Sequence, residues 1–408
     1  MKAKLIANPY IIYCFAFLFV MLLYPLRWSA LYPELSTGLI CFLSATIFIN
    51  FFAGLIVHNT NYLSYTTIDY DKRKIWLFTA LIILSYIAEC LYMGVIPIYD
   101  ISTGGDYDYT SFGIPTFHVV VVTFNSFWAV FIFHNMISEK KRGLIIPYIL
   151  CLVPSIVIFN RAMFLLIIAS SLFVLLMSAK NILTILFKIF IFLILILFLF
   201  GIAGNVRLTR GDSANDIILA VGHATDKFEK SPVPDQFFWA YLYSTSSLGN
   251  LQETINAHRV SEPSFEKAAL FINSEIFPDF ISKRNEYLFK HIEAIDQISA
   301  SFTVGTVYAR SFAYFRWWGM VAMYIYMFLF NLCVIFSLTK SSKYFVTGVA
   351  ILNCVILFSI FDNMFTFSGL VLQLAYPILF GILSRIRLAH KLNVGAVSID
   401  NSTAAIGH

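Results

Sequence analysis

Arginine is the residue type around which chemistry could be built in this chain. Six arginines stand where apolar segments begin or end, or in the one long polar stretch: Arg161, Arg207, Arg210, Arg259, Arg310 and Arg316. A guanidinium binds phosphate or pyrophosphate through paired, charge-assisted hydrogen bonds, and more strongly where water is partly excluded. The competing use is anchoring, in which the cation reaches lipid headgroups; Arg316, beside Trp317 and Trp318, fits that use equally well. Arg161 is wedged between two apolar runs with only Asn160 beside it, and there a functional role is favoured. Glu89, in SYIAECLYMG, is an acid within an apolar run, a costly placement that marks a functional site by default. It is a candidate general base for a sugar hydroxyl, or the ion-pair partner of one of the arginines. His223, His258 and His291 could serve as bases or phosphate ligands, whereas His118 and His134 read as structural. Asp100, Asp106 and Asp108, in YDISTGGDYDY, could hold a divalent metal or sugar hydroxyls. They lack the spacing of a calcium loop, so a solvated turn is expected and no metal site is assigned.

These residues are carried by a chain that composition places in a membrane. Of its 408 residues 59% are hydrophobic and 12% charged, with a mean hydropathy of +0.78. A soluble domain carries about 25% charged residues. The opening MKAKLIANPYIIYCFAFLFVMLLYP has an apolar run of spanning length and no small-residue cleavage site, so it reads as a retained span rather than a signal peptide. Six cysteines (Cys14, Cys41, Cys90, Cys151, Cys333 and Cys354) all lie in apolar runs, with no zinc spacing and no disulfide framework.

A ruler of about twenty apolar residues per helical span gives ten candidates. They are 5–24, 35–57, 75–95, 117–137, 144–159, 162–178, 186–203, 317–338, 344–361 and 366–383, an all-α polytopic membrane protein. With the N-terminus in the cytoplasm, that side holds fifteen basic residues: Lys2, Lys4, Lys72, Arg73, Lys74, Lys140, Lys141, Arg142, Lys180, Lys188, Lys340, Lys343, Arg385, Arg387 and Lys391. The short loops opposite hold two, Arg27 and Arg161. The positive-inside rule then puts both termini in the cytoplasm and residues 204–301 outside. The organisation expected is helices one to seven over 1–203, a large outer loop over 204–301, helices eight to ten over 302–390 and a disordered tail over 391–408.

Within the outer loop two helices are expected. Segment 235–257 is apolar and aromatic enough to lie in the outer leaflet. Segment 264–277 places Phe265, Ala268, Ala269, Ile272 and Ile276 on one face and stops at Pro278. Arg207 and Arg210, three apart, share a face if the seventh helix runs on for a turn. The loop reads as a lid of interfacial helices over the bilayer. No phosphate-binding loop, dinucleotide fingerprint or H-E-x-x-H occurs, so neither ATP nor a nucleotide-sugar is expected, no cofactor is implied, and no nucleic acid is expected as partner.

With these features assembled, the chain resembles the O-antigen polymerase (Wzy-type) family of oligosaccharide repeat-unit polymerases. The resemblance rests on FNRAMFLLIIASSLFVLL after a short outer turn, on the aromatic YLYSTSSLGNLQETINA within the large loop, and on SFTVGTVYARSFAYFRWWG leading into the following span. Arg210 and Gly222 approximate one of the family's Arg-rich loops ending in glycine. The resemblance implies a GT-C-like arrangement in the bacterial inner membrane. It also implies transfer of a chain from undecaprenyl pyrophosphate to the terminal sugar of an incoming lipid-linked repeat unit, and a chain-length regulator protein as partner. Arg161, Arg210, Glu89 and His258 would then be catalytic, and Arg207, Arg259, Arg310, Arg316, His223 and Tyr241 would bind pyrophosphate or sugar, the guanidinium groups taking the place of a metal. Two other functions share parts of this layout: a flippase of lipid-linked sugars and an O-antigen ligase. The single large loop and the absence of an internal repeat disfavour the flippase.

Overall fold

A computed structural model describes residues 5–103, 105, 107, 112–140, 142–208, 219–257 and 264–386. Arg210, His258, Arg259, Asp106, Asp108 and the tail 391–408 lie outside the described residues. Among those described the chain is all-helical, apart from one isolated antiparallel bridge between Ser29 and Ala224. The principal helices are α1 (Pro9–Leu23), α2 (Thr37–Asn59), α3 (Lys72–Met93), α4 (Phe117–Glu139), α5 (Ile145–Val157), α6 (Arg161–Ser178), α7 (Ile182–Leu208), α8 (Gln236–Asn256), α9 (Phe265–Phe271), α10 (Ala309–Ser337), α11 (Phe345–Phe358) and α12 (Ser368–Ile386).

Local sequence sets several of these boundaries. Asn8 accepts the Tyr10 N–H and Pro9 stands at the first position of α1; Ser36, Asp71 and Asn160 cap α2, α3 and α6 in the same manner. Gly94 ends α3 in the left-handed region.

Among the described residues, seven helices are long and apolar enough to cross a membrane: α1 with the turn that continues it to Leu26, α2, α3, α4, α6, α10 and α12. Two of the ten expected spans form shorter helices. Runs 144–159 and 344–361 form the shorter apolar helices Arg142–Val157 and Phe345–Phe358. Run 186–203 lies within the 27-residue helix α7, which is apolar over Ile182–Leu195. α11 has 14 residues, too few for a span of its own. Every residue from Phe345 to Ile356 is buried, so this helix is apolar all round because other helices enclose it.

Several polar groups within the apolar bundle tie one helix to another through hydrogen bonds, while others, such as the Asn135 amide, are buried without a protein partner among the described residues. Asn353 donates to the Ala7 carbonyl at 2.8 Å and Asn8 to that of Gly54 at 2.9 Å. The hydroxyls of Tyr13 and Tyr308 meet at 2.7 Å.

Helices α8 and α9 occupy one end of the bundle, the loop end. The expected helices 235–257 and 264–277 are present, but their buried faces differ from expectation. Most of α8 from Thr245 onward is buried in protein, with Ser247 Oγ donating to the Ile360 carbonyl and Asn250 Nδ2 to those of Phe302 and Val304. On α9, Phe265 is 92% exposed, whereas Leu270 and Phe271 are buried. The helix passes into a π-helical turn, Ile272–Ile276, that buries Asn273, Ser274 and Glu275. One extra residue in that turn rotates the face, and a buried polar cluster decides the orientation that apolar periodicity alone would have set otherwise.

Candidate functional site

The end of α3 and the start of α4 bring a carboxylate and an imidazole together. Glu89 is fully buried, and its Oε1 and Oε2 lie 3.1 and 3.0 Å from His118 Nδ1. The Ile114 N–H donates to Oε1 at 3.3 Å. His118 stands in the first turn of α4 with its side chain 20% exposed. The preceding loop folds closely over it because Gly113 adopts φ +100°, and a Cβ there would sit 2.6 Å from the imidazole. Glu89 is therefore the hydrogen-bond partner of a histidine, not the ion-pair partner of an arginine that the sequence led us to expect. His118, which read as structural, forms part of the site.

An aromatic path leads from this pair to Arg161. The Phe112 ring meets His118 edge-on and Tyr107 the same way, and the Tyr107 hydroxyl donates to the Ile158 carbonyl at 3.0 Å. Arg161 opens α6 three residues further on. It is exposed, its guanidinium lies 5.1 Å from the centre of the Phe159 ring, and it has no carboxylate partner among the described residues. Phe159 itself adopts φ +58°, which turns the chain sharply between α5 and α6.

Between α3 and α5 runs a groove of about 500 Å³ with an almost wholly apolar lining, including Tyr86, Cys90, Leu91, Val153, Val157 and Ile158. Its lining ends at Ile158, just before the Arg161 turn. Tyr86 and Cys90 flank Glu89 on α3, and the Tyr86 hydroxyl reaches Met163 Sδ at 3.9 Å. Buried acid, free cation and membrane-type groove thus converge on one corner of the loop end.

A second ionisable cluster seats the loop. Glu275 accepts from Ser311 Oγ at 3.1 Å and Asn363 Nδ2 at 3.2 Å, with Arg310 Nη1 at 3.6 Å. Asn363 also donates to the Glu275 carbonyl at 2.9 Å. Burial pushes the Glu275 carboxyl up to about 7, against the opposing pull of Arg310; Asp362 is raised by burial too, with Arg310 again opposing. Arg310 stands on the first turn of α10, which breaks at Phe315 and Arg316, the latter at φ 54° and ψ −136°. Gly319 permits the break, since a Cβ there would overlap the Ser311 carbonyl oxygen.

The loop then crosses toward the first cluster. Asp279 is tied to the turn before α12 by its N–H to the Thr366 carbonyl and by its Oδ1 to the Ser368 N–H. Arg284 Nη2 reaches Thr116 Oγ1 at 3.3 Å, two residues before His118. Arg284, Asn273 and Asn285 help line an open cleft of about 510 Å³.

The other expected residues take different places. Arg310 pairs with Glu275, and Arg316 is exposed at the helix break. His223 is exposed in a left-handed turn, and its carbonyl accepts the Ala30 N–H. Tyr241 is 3% exposed, packed against Trp28, Tyr32 and Phe238, so its ring has no face left for a sugar; its hydroxyl accepts the Trp28 N–H. His291 bonds locally to the Tyr287 carbonyl. His134 is buried, with Nε2 on the Thr66 carbonyl, consistent with a structural role. Arg207 lies on the last turn of α7.

The sequence reading did not single out Glu275, Asp362 or Arg284. Asp362 follows the apolar run of α11 and could have been found by the rule that flagged Glu89. No protein-family profile, curated protein or solved structure matches the chain.

Proposed function

We propose that the protein is a polysaccharide polymerase of the inner membrane. It would transfer a glycan from an isoprenyl pyrophosphate carrier to the terminal sugar of another lipid-linked repeat unit, building O-antigen or a related surface polymer. The loop end faces away from the cytoplasm on the Lys/Arg distribution of the short loops. The observation that carries the reading is the Arg161 turn: an exposed guanidinium three residues after Ile158, which lines the apolar groove.

The chemistry follows from that placement. An isoprenyl chain occupies the groove between α3 and α5, and Arg161 holds the pyrophosphate at its end. As the bond to the anomeric carbon breaks, negative charge grows on the leaving pyrophosphate, and a fixed cation in a poorly hydrated site stabilises it. Arg207 and Arg210 are assigned to the same anion. The cleft beside Arg284, Asn273 and Asn285 offers hydrogen-bonding groups for the acceptor glycan.

Deletion of the gene and reconstitution with Arg161→Ala test this. Deletion should leave a single repeat unit on lipid A, and the variant should insert normally yet fail to restore long chains. Surface repeats lost altogether, with chains still on the carrier, would identify a ligase instead. Unflipped repeats on the cytoplasmic side would identify a transporter, and full-length ladders from Arg161→Ala would remove this turn from the site. A partner protein that sets chain length belongs to the same proposal.

A further inference from the structure

The acid in the Glu89–His118 pair is the wrong group to touch a substrate. Glu89 is fully buried and both oxygens are committed, to His118 Nδ1 and to the Ile114 N–H. His118 is the member that reaches the surface, and its Nε2 has no protein hydrogen bond among the described residues. A carboxylate that holds Nδ1 fixes the tautomer, leaves the Nε2 lone pair pointing outward, and stabilises the imidazolium once a proton arrives. Three further features fix the ring where it stands. Gly113 allows the loop to close on it, Phe112 packs edge-on, and Arg284 bonds to Thr116 at the start of the same turn.

The setting connects the two spaces of the loop end. Glu89 lies one turn from Tyr86, which lines the apolar groove. Arg284, which bonds to Thr116 next to His118, lines the cleft on the loop side. The imidazole is bonded to a residue of the groove-lining helix α3 and stands two residues from the Thr116 contact of the cleft-lining Arg284, so it neighbours both spaces.

We infer that His118 Nε2 is the proton acceptor for the attacking hydroxyl, with Glu89 as its positioning residue; this rests on the transferase reading above. Nε2 takes the hydroxyl proton, and the freed oxygen pair forms the new bond to the anomeric carbon. The bond from that carbon to the pyrophosphate oxygen breaks, and its electron pair leaves on the pyrophosphate. The imidazolium, opposed by Glu89, then returns its proton to water. Atoms and charge balance without another reactant. His258 is not needed for this step.

The test uses the full chain in lipid nanodiscs with a synthetic isoprenyl pyrophosphate-linked oligosaccharide as both donor and acceptor. His118→Ala should lower kcat by about 100-fold or more while KM changes little, the range a lost general base gives. Added imidazole should restore part of the His118→Ala rate and leave the wild-type rate unchanged, a response that a purely structural histidine would not give. His118→Gln preserves an amide N–H for Glu89 and guards against misfolding; it too should be inactive and should show wild-type thermal stability. Wild-type turnover combined with a near-normal kcat in either variant overturns the role of His118 and leaves the transferase reading intact. So does an inactive His118→Ala that imidazole does not restore. Absence of turnover by the wild-type protein counts against the transferase reading and against His118 with it.

Discussion

Replacing Glu275 by glutamine should remove a pH dependence from the seating of the loop. The carboxyl is fully buried, and burial raises it from 4.5 to about 7 in the seated state. A released loop would return the group to its ordinary value. Between pH 4.5 and 7 the seated state therefore binds a proton that the released state does not, and raising the pH favours release. Seating is firmest below pH 4.5, weakens across that window and levels off above 7. At about 1.4 kcal/mol per pH unit, the full effect is about 3 kcal/mol, or roughly two orders of magnitude in the opening equilibrium. Asp362, also raised and sharing Arg310, titrates together with Glu275, so the measured curve belongs to the pair.

Hydrogen exchange of peptides covering 265–290, corrected for intrinsic rates, reads local opening directly. Wild-type protection should fall by roughly 100-fold between pH 5 and 7.5, relative to peptides from α11, which is enclosed on every side. Glu275→Gln keeps the size of the side chain and cannot ionise, so most of that fall should disappear and protection at pH 7.5 should rise. An identical pH dependence in the variant, or none in the wild type, would refute the argument that this carboxyl governs how the loop is held.

Arg310→Ala should act in the opposite direction, since Arg310 is the group that holds Glu275 and Asp362 down; loop protection at pH 7.5 should fall by the equivalent of about 3 kcal/mol, the scale for an uncompensated buried charge, as read by the same exchange experiment. Gly319→Ala places a methyl group on the Ser311 carbonyl oxygen and should straighten or unseat the break in α10. A loss of about 1–3 kcal/mol, the cost of overpacking, should show as a lower midpoint in detergent thermal unfolding.

How much of this was legible beforehand depends on what each residue answers to. The membrane class and most span positions follow from hydrocarbon composition, which the bilayer reads one residue at a time. The ruler counted the run of α11 as a span because a run enclosed by protein and a run enclosed by lipid have the same composition, although the helix ends after 14 residues. Glu89 was visible because an acid in an apolar run has to be explained. Its partner was not, because His118 lies 29 residues away and meets it only when the loop ending in Gly113 folds back. The 264–277 helix failed differently. Its apolar periodicity was real, but the π-helical turn and the hydrogen bonds of Glu275 to Ser311 and Asn363 outweighed it. Those partners lie 36 and 88 residues away, beyond any local pattern.

Glu89 and Glu275 are both fully buried acids at the same end of the bundle, and their partners separate their roles. Glu275 is enclosed by a serine, an asparagine and an arginine drawn from two other segments, and all of these contacts hold the loop in place. No atom of that acid is available to a substrate, so its charge bears on where the loop sits. Glu89 is equally inaccessible, but its principal partner is a partly exposed ring whose second nitrogen has no protein hydrogen bond among the described residues. Charge placed on Glu89 is therefore transmitted to a position that a substrate can reach. An acid whose partners are all structural can regulate a site, whereas an acid that orients an imidazole can take part in its chemistry. On the transferase reading proposed above, that criterion puts the chemistry where α3 and α4 meet near the Arg161 turn, and gives the segment seated by Glu275 a regulating role.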